Sequence, residues 1–137
     1  MAEQITVSVT INAPVDKVWN CFTQPDHITK WNFASDDWEC TKAFNTLEVG
    51  KKFSYHMGAK NKSFEFDFGG TYNAIVKGSL IEYTIGDGRK VIIDFLPNGV
   101  TTTINETFEM EGRNPHETQR QWWQAILDNF KKHVESC

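Results

Sequence analysis

The chain has 137 residues, 39 % of them hydrophobic and 23 % charged, which is enough to bury one core without disulfide or metal staples. A net charge of −4 with no basic run argues against nucleic acid as a partner, and no segment approaches the ~20 apolar residues of a membrane span. Cys21, Cys40 and Cys137 are an odd set without metal-type spacing; together with an N-terminus lacking a basic start and an apolar h-region, they fit reduced thiols in the cytoplasm.

Ile5, Val7, Val9 and Ile11 alternate with Thr6, Ser8 and Thr10, the pattern of a half-buried strand. Pro14 opens a short helix with Val15, Val18, Trp19 and Phe22 at helical spacing, and Pro25 opens a second that carries Ile28 and Trp31. Strand and turn signals then continue to Met110. Trp38 to Phe44 is a strand; Lys51 to Met57 alternates Phe53, Tyr55 and Met57 with Ser54 and His56; and Gly58 to Lys62 is a polar loop. Phe64, Phe66 and Phe68 alternate with Glu65 and Asp67 before Gly69-Gly70, where a bulge or kink is expected, and Thr71 to Val76 continues the strand. Lys77-Gly78, Asp87-Gly88 and Asn98-Gly99 are hairpin turns, so Leu80–Ile85, Val91–Leu96 and Val100–Met110 form a meander.

The last stretch, Asn114 to Cys137, is the one long helix. Asn114 is the expected N-cap, Pro115 the first helical residue and Glu117 the capping-box acid. Trp122, Trp123, Ile126, Leu127, Phe130 and Val134 fall within an arc of roughly 140°. Gln119 and His133 share that arc, either as its wet ends or, for Gln119, as a polar contact beneath it. The order strand, two short helices, six strands, long helix gives an α+β fold in a single domain spanning 1–137. A curved antiparallel sheet wraps around the C-terminal helix, and the space one helix leaves unfilled is either aromatic core or a pocket.

Ile11 to Trp19, followed by Pro25 to Trp31, resembles the opening of the SRPBCC superfamily, the START-like and birch-pollen-allergen-like proteins. Asp87 to Val91, Phe108 to Glu111 and Gln119 to Leu127 are similar to the family of heat-shock protein 90 ATPase activator homologues. The resemblance covers essentially the whole chain and implies the helix-grip fold, with a cavity for hydrophobic small molecules between sheet and helix. Similar sequences usually carry glycine where this chain has Trp122, a side chain that either fills part of the pocket or projects from its rim.

No nucleophile elbow, phosphate loop, dinucleotide fingerprint or Cys-His pairing at recognisable spacing is present, and no cofactor is expected. His27, His56, His116 and His133 are scattered, without the convergence a metal site needs. Glu106 shares the inward parity of Ile104, Phe108 and Met110. It is either an acid facing the cavity, with a raised pKa, or a residue turned outward by a bulge or lying at a strand end near solvent. Asp94 has the opposite parity to Val91, Ile93 and Phe95 and reads as solvent-facing. The candidate ligand-binding set is Trp31, Tyr55, Phe66, Phe68, Tyr83, Phe95, Glu106, Gln119, Trp123, Ile126 and Phe130, with Trp31 at the entrance or sealing the end of the core.

Three functions compete. The first is non-catalytic binding, transport or sensing of a small hydrophobic molecule, lipid-like or aromatic. The second is a chaperone-associated or other protein-interaction role, which the family name implies. The heat-shock protein 90 activator carries a further N-terminal domain for which this chain has no room, so direct transfer of that role is not expected. The third is a cyclase or aromatase using Glu106, Tyr55 or Tyr83, as elsewhere in the superfamily. The residues name neither the ligand nor an oligomeric state.

Overall fold

The computed structural model describes residues 3–137. Its elements run β1 (Gln4–Ile11), α1 (Val15–Thr23), α2 (Pro25–Trp31), β2 (Trp38–Asn45), β3 (Lys52–Ala59), β4 (Glu65–Val76), β5 (Leu80–Ile85), β6 (Lys90–Asn98), β7 (Thr101–Glu109) and α3 (His116–Ser136). All seven strands join one antiparallel sheet in the order β1-β7-β6-β5-β4-β3-β2. The first strand therefore pairs with the last, and the other six follow one another as a meander. This is the α+β helix-grip arrangement expected from the order of elements.

Side-chain parity decides what faces inward. Ile5, Val7 and Ile11 of β1, Val91, Ile93 and Phe95 of β6, and Ile104 and Phe108 of β7 are buried on one sheet face. Helix α3 covers that face along β1 and meets α1 and α2 near its C-terminal end. Phe130 there packs edge-on against Phe22 and Trp31, at centroid distances of 5.2 and 4.8 Å, while Trp19 and Phe22 pack on Phe95. Each side chain so buried contributes roughly 2 kcal/mol. With α3 over the β1 edge, the concave face beneath β3, β4 and β5 keeps free space.

Three local expectations are corrected. Strand β4 runs unbroken through Gly69-Gly70, and its irregularity lies instead between Tyr72 and Ala74. The glycines serve close approach: a Cβ at Gly70 would stand 2.4 Å from the Thr84 carbonyl oxygen, and one at Gly69 would stand 2.8 Å from that of Phe53. At the start of α3, Pro115 occupies the N-cap position with extended backbone and no side-chain cap. Asn114 is drawn away by Glu111, whose Oε1 accepts from the Asn114 side-chain amide at 2.8 Å, and Glu117 pairs with Arg120 instead of closing a capping box. The loop after β3 is displaced by two residues from the expected one, because Gly58 and Ala59 remain in β3 and β4 begins only at Glu65. Among the described residues no helix is long and apolar enough to cross a membrane.

Candidate functional site

Between α3 and the concave face lies a cavity of about 650 Å³. Tyr55 and Met57 of β3, Phe66 and Phe68 of β4, Tyr83 of β5 and Glu106 of β7 form its sheet side; Trp123, Ala125, Ile126 and Leu127 of α3 form its roof. Phe22 and buried Trp31 line its inner end, and the lining reaches solvent at Ser35, Gln121 and Trp122, with Ala34 and Trp38 half-buried. A second, more open depression of about 920 Å³ lies between α2 and β2–β4; it is lined by polar groups such as Asp26, Thr29 and His56 and has no apolar wall of this kind.

Trp123 is fixed by Phe108, on which it stacks with centroids 4.1 Å apart and planes 11° from parallel, and by an edge contact to Phe68. Tyr55 and Phe68 lie nearly parallel at 6.5 Å, with Phe53 behind them. Trp31 donates from its indole nitrogen to the Cys21 carbonyl at 2.9 Å and its own carbonyl accepts from Asn129, so it seals the core and lends the cavity one edge. Trp122 is 48 % exposed at the mouth: the side chain that replaces the expected glycine projects from the rim and leaves the space behind it open.

Glu106 faces inward. Strand β7 carries no bulge, pairing Glu106 with Val7 on one side and Ile93 on the other, and the residue is 7 % exposed. Burial raises its pKa from the ordinary 4.5 to about 8; among the described residues no cation or hydrogen bond offsets that cost. Burial likewise pushes the Tyr55 and Tyr83 phenols well above their usual range, and for Tyr83 the Glu106 carboxyl adds to the effect. At neutral pH these three groups are uncharged, and Glu106 offers an acid proton to the cavity. Arg89 reaches the lining from the β5–β6 turn while its Nε donates to Asp87 at 2.8 Å.

Gln119 is 1 % exposed, so it is not a wet end of the helical stripe. Its side-chain oxygen accepts from the Glu111 backbone N–H at 3.0 Å, and its nitrogen donates to the carbonyls of Glu111 and Asn114 at 3.1 and 2.7 Å. It lines the cavity with its hydrogen bonds already directed at the loop before α3. Phe95 and Phe130 lie outside the lining, fully enclosed in the core against Trp19, Phe22 and Trp31. The other nine expected residues converge on the cavity. Met57, Phe22 and Trp38 join them; parity marks Met57 inward, but no pattern in the sequence assigns Phe22 or Trp38 to a pocket rather than to core.

A family model described as Activator of Hsp90 ATPase homolog 1-like protein matches residues 12–135. The solution structure of an AHSA1-like protein from Aeromonas hydrophila is similar at 36 % identity and a TM-score of 0.92, over 98 % of this chain and 93 % of that one. A protein of Cytophaga hutchinsonii is 49 % identical with a TM-score of 0.84, over 97 % of this chain and 92 % of that one. A Chromobacterium violaceum protein at 23 % identity and a TM-score of 0.85, over 96 % of each chain, shares the fold. Comparison with curated proteins finds no match.

Proposed function

The chain belongs to the family of Activator of Hsp90 ATPase homolog 1-like proteins, and on that premise we propose that it binds a small hydrophobic molecule in the cavity beneath α3, as a carrier or sensor. The observation that carries this reading is an aromatic cavity of about 650 Å³ with one buried, uncharged carboxyl at its floor. A space of that size suits a ligand of drug-like dimensions, and flat aromatic walls suit a planar or aliphatic body. The proton of Glu106 suits an acceptor, a carbonyl or ether oxygen on an otherwise apolar molecule, because the apolar walls would leave a charged acceptor desolvated. A fluorescent apolar probe tests it: saturable enhancement, competed by unlabelled apolar ketones and lost in Trp123→Ala, supports the reading. Linear, non-saturable enhancement would remove its basis.

A second reading, a protein partner at the mouth, is favoured by exposed Phe64 and Phe66, which pack on each other and on half-buried Trp38 at 5.7 to 6.5 Å, and by exposed Trp122 on the cavity lining. It is distinguished by a partner that still binds when the cavity is filled.

A further inference from the structure

Two Cys-His pairs that the sequence keeps far apart, Cys21 with His27 and His133 with Cys137, meet at the C-terminal end of α3. Cys21 comes from α1, His27 from α2, His133 from the last turns of α3, and Cys137 follows four residues later. One donor atom from each lies within 4.8 Å of every other. His27 Nδ1 and His133 Nε2 are 2.8 Å apart, and Cys137 Sγ is 3.6 Å from the same His133 nitrogen. The four side chains thus turn their donor atoms toward one point. The charged groups acting on His133 are His27, Lys30 and Lys17, with no carboxylate among them.

From this geometry we propose that Cys21, His27, His133 and Cys137 form a tetrahedral site for a Zn²⁺-class ion that clamps the end of α3 to α1 and α2. Two sulfurs and two imidazole nitrogens are a closed structural zinc set, and a tetrahedron with Zn–N of about 2.0 Å and Zn–S of about 2.3 Å places its donors roughly 3.3 to 3.8 Å apart. Cys137 Sγ and His133 Nε2 already stand at that spacing, the two imidazoles need to part by about half an ångström, and the remaining pairs, all within 4.8 Å, need to draw in by at most roughly one ångström. When the ion binds, the two thiols lose their protons to solvent; two thiolates cancel the charge of the ion, so no net charge is enclosed. Cys21 is buried and the histidines are half-buried, while Cys137 is exposed, which gives the ion an entry side and a protected side. Oxygen-seeking ions such as Mg²⁺ and Ca²⁺ find no oxygen donor in the set.

The clamp bears on the cavity. The backbone carbonyl of Cys21 holds the Trp31 indole, and Asn129 of α3 holds the Trp31 carbonyl, so the ion would fix the inner wall and the roof to each other.

The test is Co²⁺ titration of the full chain, reduced and free of any affinity tag, followed by Zn²⁺ displacement. The proposal expects one equivalent of Co²⁺ with intense tetrahedral visible bands and thiolate-to-metal charge transfer, displaced by one equivalent of Zn²⁺. Cys137→Ser, at an exposed position that leaves the core intact, should weaken affinity by on the order of a hundredfold and roughly halve the charge-transfer intensity. His116→Gln, a histidine outside the cluster, should leave both unchanged. Weak octahedral bands without charge transfer, affinity unmoved by Cys137→Ser, or no uptake would each overturn the site. So would a Cys21–Cys137 disulfide, seen as the mass loss of two hydrogens in protein produced with zinc supplied, because the two thiols would then serve as a redox pair.

Discussion

Trp123 lies flat on Phe108, ring centroids 4.1 Å apart, and this stack joins the cavity roof to the strand that carries Glu106 two residues earlier. The same side of α3 that secures the helix to the sheet also walls the cavity. Packing and binding therefore draw on one residue. Trp123→Ala should lower unfolding stability by about 3 kcal/mol in a urea titration and also abolish probe binding, whereas Trp123→Phe should restore most of the stability.

Glu106 sets a pH dependence whose sign follows from its raised pKa. Between its ordinary 4.5 and about 8 the folded chain holds a proton that the unfolded chain releases. This contribution therefore favours folding at acid pH and declines as pH rises through that window, by at most about 1.4 kcal/mol per unit. Glu106→Gln should flatten the slope and raise the melting temperature most at the alkaline end of the window. A slope equal in wild type and variant would place the titration elsewhere.

Gln119 ties α3 to the loop before it through three hydrogen bonds to backbone. Gln119→Leu keeps the bulk and leaves the Glu111 N–H and two carbonyls unpaired, which should destabilise by about 1–3 kcal/mol. Hydrogen exchange at the Glu111 amide should rise well beyond the global change.

At Gly70 the constraint is distance. Since an added Cβ would meet the Thr84 carbonyl oxygen at 2.4 Å, Gly70→Ala must push β4 from β5 or distort the strand. A loss on the order of 2 kcal/mol or more is expected by thermal unfolding, against less than about 1 kcal/mol for Trp122→Ala at the exposed rim.

Much of this was legible in the chain itself. Alternation in β5–β7 and the three hairpin dipeptides suffice for the meander from β4 to β7, because a period of two admits one inward face and a tight turn admits one neighbour, whereas the pairing of β1 with β7 is set by no turn. Gly88 shows the turn chemistry directly, with φ at +95° in the Asp-Gly pair. Parity pointed Glu106 inward but left an outward setting open, which only the unbroken register of β7 removes. What failed were contacts between distant segments. Gly69-Gly70 resembles a bulge unless Phe53 and Thr84 are known to press on it, and Asn114 resembles a cap until Glu111 captures it. Phe95 and Phe130 share the parity or arc of cavity residues, and only the position of α1 and α2 buries them in core. His27 and His133 are 106 residues apart, so no spacing rule joins them.

The central claim is an open, ligand-accepting cavity beneath α3, and native mass spectrometry of gently purified protein tests it most directly, with Ala125→Trp beside the wild type. Ala125 lines the roof and is half-buried, so a Trp there fills the space without displacing core. The account predicts that wild type carries, or takes up from a panel of apolar ketones and fatty acyl compounds, one small molecule that Ala125→Trp excludes while remaining folded. Equal uptake by both proteins would place the ligand outside the cavity and contradict the account.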